Sequence, residues 1–130
     1  MKRIALLVCL AGAFVALAQD PWVYRDHPNW DRSWNQRPSP RAGACFFKDR
    51  NFQGDRFCVS RGDRLDRLPG SFGDNISSIQ IFGNARTEVY NDRNFSGGSL
   101  EFRRSIADLR TQKFRDGHTW NDRISSITVR

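Results

Sequence analysis

A chain of 130 residues with a formal charge of +7 has room for one domain and a tail, and too few residues for two domains of ordinary size. Its Lys and Arg residues are interleaved with Asp and Glu instead of forming a run. That argues against a specific nucleic-acid groove and for a solvated, arginine-biased surface with at most weak attraction to anionic surfaces.

Residues 1–18 stand apart. Lys2 and Arg3 precede an uncharged apolar run from Ile4 to Leu17, which ends in Ala16-Leu17-Ala18. This is the layout of a secretory signal peptide cleaved after Ala18, so the chain is expected to be secreted or periplasmic. The run is too short for a membrane span, and nothing later is apolar enough to be one. Cleavage removes Cys9, and loss of Lys2 and Arg3 lowers the formal charge from +7 to +5.

Residues 19–43 follow, with Pro21, Pro28, Pro38 and Pro40 and with Trp22, Trp30 and Trp34. Proline removes ladder donors and no apolar period is visible, so this stretch reads as a tail or linker. Its tryptophans are available to the domain, to a partner or to a carbohydrate.

Residues 44–130 form the domain and carry an internal repeat. Phe47 to Gly54 reads Phe-Lys-Asp-Arg-Asn-Phe-Gln-Gly, and Tyr90 to Gly97 reads Tyr-Asn-Asp-Arg-Asn-Phe-Ser-Gly. Further on, Ile76-Ser77-Ser78-Ile79 recurs as Ile124-Ser125-Ser126-Ile127. The first copy spans about 44–84 and the second about 85–130. In each, an aromatic, a polar turn, a second aromatic and a Gly suit a folded hairpin whose rings pack on each other. After the Gly the pattern alternates: Phe57 and Val59, then Leu100 and Phe102, and finally Ile79 with Ile81 and Ile127 with Val129. These are half-buried strands. Helical periodicity is nearly absent, with at most one short turn within Arg104–Arg110.

Export and an even pair of remaining cysteines point to a Cys45–Cys58 disulfide. The repeat aligns Cys45 with Glu88 and Cys58 with Glu101. The cysteines are therefore expected on neighbouring antiparallel strands, on one solvent-facing side.

Together these features resemble the βγ-crystallin family, in its microbial, exported, single-domain form. The resemblance covers 44–130 and rests on the aromatic-x4-aromatic-x-Gly block in both copies. It implies an all-β Greek-key sandwich of two four-stranded sheets, with a strand exchanged between the copies and Phe72 and Trp120 between the sheets. It also implies calcium binding through Asn/Asp-Asn/Asp-x-x-Ser/Thr-Ser. Asn121 to Ser126 fits that pattern throughout, whereas Gly73 breaks the first position of Gly73 to Ser78. The ligands so implied are Asp74, Ser77, Asp122 and Ser125, with the carbonyls of Asn75 and Arg123. The loop carbonyls of Lys48 and Asn91 are weaker additions. An oxygen set of this kind suits a hard cation at modest affinity.

No enzyme motif is legible. His27 and His118 stand in no metal-binding spacing, and no nucleophile sits in a recognisable motif. The domain therefore reads as a non-catalytic structural module that binds Ca2+. The alternative is an inhibitor of a secreted protease on the same fold, using the cross-linked hairpin or the Arg61–Pro69 loop. Arg61-Gly62-Asp63 spells an adhesion tripeptide of the kind that arises by chance.

Overall fold

The structure, a computed structural model, describes residues 38–130. The expected signal peptide and most of the expected tail lie outside the described residues. Seven strands follow in order: β1 (Gly43–Asp49), β2 (Gln53–Ser60), β3 (Arg64–Leu65), β4 (Ser78–Phe82), β5 (Thr87–Asp92), β6 (Ser96–Phe102) and β7 (Ser126–Val129). A single 3-10 turn, Leu109–Thr111, lies between β6 and β7.

All pairings are antiparallel, in two sheets of order β2-β1-β4 and β3-β7-β5-β6. β3 precedes β4 in the first repeat, yet it pairs with β7 of the second through Arg64↔Thr128 and Leu65↔Ile127. The exchange is reciprocal. Ile106 of the second repeat bridges to Ile79 on β4, with N–H···O bonds of 2.8 and 3.0 Å in the two directions. Here the expected fourth strand of the first sheet shrinks to one bridge, because the flanking groups bond elsewhere. The Ile81 N–H donates to the Ser105 hydroxyl, and the Ala107 carbonyl accepts from Asn51.

Period-two alternation explains the core. Phe46, Phe57, Val59, Leu65, Ile79, Val89 and Ile127 all point between the sheets. Phe72 and Trp120 are buried there too, as expected. Phe46 stacks on Phe57 at 4.9 Å, Phe72 meets Phe57 edge-on at 4.9 Å, and Phe114 meets Trp120 at 5.0 Å.

The disulfide joins Cys45 and Cys58 directly across β1 and β2, with Cα atoms 4.0 Å apart. Its expected solvent-facing position is wrong. Both cysteines lie on the outer face of the sheet, but they are 0 and 2% exposed. Phe47, Phe52 and Phe82 form a second small apolar cluster over them, and Ser39 and the Arg56 guanidinium close the edge. In the second repeat the same face carries Glu88 and Glu101, paired with arginines and open to water. The repeats share a backbone but cover their outer faces differently.

Candidate functional site

The two hairpin tips are near copies. Asn51 and Phe52 have φ of 60 and 59°, and Asn94 and Phe95 have φ of 59 and 58°. Two successive left-handed residues, one of them Phe, are costly for L side chains. The second serine of each Ser-Ser pair compensates. Ser78 Oγ accepts from the Phe52 N–H at 3.0 Å and donates to the Asp49 carbonyl at 2.6 Å. Ser126 Oγ does the same for Phe95 and Asp92, at 3.0 and 2.6 Å. The folded aromatics then meet edge-on, Phe47 with Phe52 at 5.9 Å and Tyr90 with Phe95 at 5.8 Å. The Gly after each tip is favoured as well, since Gly54 and Gly97 both have φ of 80°, a conformation that side chains with a Cβ rarely adopt.

With the second serine committed to the hairpin, the first is left facing a hollow. Asp74 and Asp122 both adopt left-handed φ, 58 and 59°, a conformation Asp tolerates better than most residues. The Asp74 N–H donates to the Ile124 carbonyl and the Asp122 N–H to the Ile76 carbonyl, each at 3.0 Å. Each Asp is thus moored to the other repeat, one residue before that repeat's first serine. Ser125 Oγ lies 3.0 Å from Asp74 Oδ1. Asp122 has the same main-chain link beside Ser77.

Two hollows result. One, of about 370 Å3, is lined by Asp49, Arg50, Asn51, Ser77, Arg110 and Asn121. Asn121 Oδ1 is buried there with no hydrogen-bond partner, a state that costs about 1–3 kcal/mol unless a ligand or water relieves it. The other, of about 260 Å3, includes Gly73, Asp74, Arg93 and Ser125 in its wall. Arginines border both. At the first hollow Asp108 engages Arg110 through both carboxylate oxygens and Arg50 at 3.9 Å, and the Arg110 hydrogen bonds hold its carboxyl below the usual range.

Asp74 and Ser125 therefore come together, as do Ser77 and the motif residue Asn121. The Asn75 amide donates to the Ser71 carbonyl at 2.8 Å and the Arg123 guanidinium to Asp116 at 3.0 Å, and neither residue lines a hollow. Lys48 and Asn91 line neither hollow. The Lys48 ammonium reaches Ser71 Oγ at 2.6 Å, and Asn91 Oδ1 accepts from the Gly98 N–H. Asp49, Asn51 and Arg93, a few positions along the same hairpins, take those places in the walls. The sequence reading missed Asn121 as an acceptor. Its signal was present in the intact first position of the second motif. Among the described residues no three His, Cys, Asp or Glu side chains converge. The available donors are hydroxyl, amide, carbonyl and single-carboxylate oxygens, a set suited to Ca2+ more than to metals that favour thiolate or imidazole.

Burial, and then the charge of Asp74, push the Asp122 carboxyl above its ordinary range. A raised carboxyl pKa means that the folded state holds the proton more tightly than the unfolded chain. The associated stabilisation is present at low pH and is lost as pH rises through the folded value. At pH 7 without calcium, ionised Asp122 is thus a burden on the fold. Asp122→Asn is expected to melt at or above the parent temperature at pH 7 in chelator, and to lose that advantage when the pH is lowered into the carboxylate range. Scanning calorimetry at pH 7 and pH 4 measures this, and a variant that melts below the parent at pH 7 contradicts it.

Residues 33–102 match a family described as peptidase inhibitor family I36. Spherulin-3A from Physarum polycephalum is 31% identical over 94 residues, which cover 70% of this chain and 85% of that protein. A βγ-crystallin domain from Flavobacterium johnsoniae superposes with a TM-score of 0.55 at 29% identity, covering 67% of this chain and 92% of that one. A βγ-crystallin domain of the Abundant Perithecial Protein from Neurospora crassa, in its Ca2+-bound form, superposes with a TM-score of 0.55 at 23% identity. That match covers 72% of this chain and 93% of the other, and bears on the fold alone.

Proposed function

Since the chain belongs to peptidase inhibitor family I36 and its domain to the βγ-crystallin family, we propose that it is an exported, non-catalytic module that binds Ca2+ at its two hairpin-side hollows. The observation that carries this reading is the Asp74–Ser125 pair. The two residues come from different repeats, yet they lie 3.0 Å apart beside the hairpin of the second repeat. The orphaned Asn121 Oδ1 supports the other hollow. Non-catalytic function agrees with the crystallin domains and Spherulin-3A among the similar proteins.

Few carboxylates and several guanidiniums place the affinity at about 10⁻⁵ to 10⁻³ M. The hollows are unequal. Gly73 stands where the pattern asks for a polar residue, and a Cβ built there meets nothing within 4 Å, so Gly73→Asn fits and should tighten the weaker site.

A second reading is inhibition of a secreted protease, favoured by the description of the family matched over 33–102. Of the two loops considered for it, Arg61–Pro69 is poorly suited. It contributes β3 to the other sheet and buries Leu65, Leu68 and Pro69. The exposed tip of the disulfide-bonded β1–β2 hairpin remains.

One calorimetric experiment separates the readings. Calcium titrated into the mature chain is expected to give saturable heat that Asp74→Asn and Asp122→Asn each reduce. Added proteases of several classes should give none. Heat with a protease and none with calcium would reverse the assignment.

A further inference from the structure

The strand registers put the hairpins and hollows at one end of the sandwich. β5 begins at Thr87, paired with Phe102 and Val129, and runs toward the tip at Asp92 and Ser96. The opposite end therefore gathers the β2–β3 turn, the β4–β5 turn and the close of β6 and β7. Arginine dominates this end. A hollow of about 420 Å3 there is lined by Arg61, Arg86, Arg103 and Arg130 together with the turn Gly83–Ala85. It adjoins a second of about 300 Å3 that shares Arg61 and Arg130 and adds Arg64 together with one acid, Asp63.

These side chains are held in place. Glu88 and Glu101 face each other across β5 and β6. Glu101 binds Arg103 at 3.2 Å and Arg86 at 3.7 Å, while Glu88 binds Arg130 at 3.3 Å. Two carboxylates thus orient three guanidiniums, and each guanidinium keeps further N–H donors for a ligand. The Arg61 side chain is exposed and makes no hydrogen bond or ion pair with the described residues. Guanidinium forks recognise carboxylate and sulfate oxygens in pairs.

We propose that this arginine-lined end binds an acidic polysaccharide, with Arg61, Arg86, Arg103 and Arg130 clasping successive anionic groups of the polymer. The lining favours such a polymer over nucleic acid or membrane. It holds no aromatic side chain on which bases could stack, and no apolar wedge to enter a bilayer. An exported chain, as the signal-like N-terminus leads one to expect, meets such polymers directly.

The test uses the mature chain with polygalacturonate (carboxylated), dextran sulfate (sulfated), neutral dextran and a mixed-sequence oligonucleotide, at several salt concentrations. Binding to one or both acidic polysaccharides and none to dextran is expected, and the better of the two identifies the preferred anion. Arg61→Gln/Arg103→Gln changes two exposed residues and should weaken that binding about tenfold, with a shallower salt dependence. Lys113→Gln/Arg115→Gln, which removes the same charge from the exposed loop before Trp120, should leave it within about twofold. An unchanged calcium titration in both variants keeps this outcome independent of the calcium reading. Equal losses in the two variants, tighter binding to the oligonucleotide than to either polysaccharide, or no binding to any polyanion would overturn the proposal.

Discussion

Ser78→Ala is expected to destabilise the calcium-free domain by about 2–4 kcal/mol, while Ser77→Ala, one position away, costs less than about 1 kcal/mol. Ser78 is fully buried. Its hydroxyl is the partner of both the Phe52 N–H and the Asp49 carbonyl. Alanine leaves two backbone groups under the hairpin without partners, at about 1–3 kcal/mol each. It also removes the tether that holds Asn51 and Phe52 in left-handed backbone. Ser77 has no such duty, since its main chain, not its side chain, makes the hydrogen bonds to Phe47 and Leu109, and the residue lines a hollow. Its loss should appear instead as diminished calcium heat. The same division is expected between Ser126 and Ser125. Denaturant titrations of the four alanine variants in chelator test it, and equal costs within each pair would show that the roles are not divided.

Cys45→Ala/Cys58→Ala is expected to cost about 3 kcal/mol, equivalent to roughly 12–24 °C in melting temperature for a domain of this size. The bond spans a sequence separation of 13, so most of the effect is lost restraint on the unfolded chain. The sulfurs also fill the space beneath Phe47, Phe52 and Phe82, and truncation adds a small cavity. Because both cysteines are buried, reductant at room temperature should act slowly on the folded protein and quickly once it is heated. Thermal scans of the variant, and of the parent with and without reductant, provide the measurement. A variant that melts with the parent would leave the bond without a structural role.

The fold was largely legible because a repeat states its architecture twice. The Asp-Arg-Asn-Phe-x-Gly blocks located both hairpins, and the alternation after them located the faces of β2, β4, β6 and β7. The outer face was less legible. Glu88 and Glu101 said that it was wet in the second repeat, and nothing in the local pattern said that Phe52 and Phe82 would cover it in the first. That cover depends on long-range packing. At the candidate site, the motif pattern singled out Asp74, Ser77 and Ser125, which line the hollows, and Asp122, which lines neither. The second serine locks a hairpin and the first is free to face a hollow. Of the loop candidates, Lys48 and Asn91 do not line the hollows, where Asp49, Asn51 and Arg93 stand instead. A bulge in each hairpin, between Phe47 and Asp49 and between Tyr90 and Asp92, shifts which residues reach the hollow.

Thermal melting of residues 19–130 at neutral pH, with about 1 mM calcium and with chelator, tests the central claim most directly. A site near 10⁻⁴ M that exists only in the folded state adds about 1.4 kcal/mol, which is roughly 6–11 °C for a domain of this size. The parent should show that rise, and Asp74→Asn/Asp122→Asn should melt cooperatively without it. A parent that melts at one temperature in chelator and in several millimolar calcium would contradict the calcium assignment.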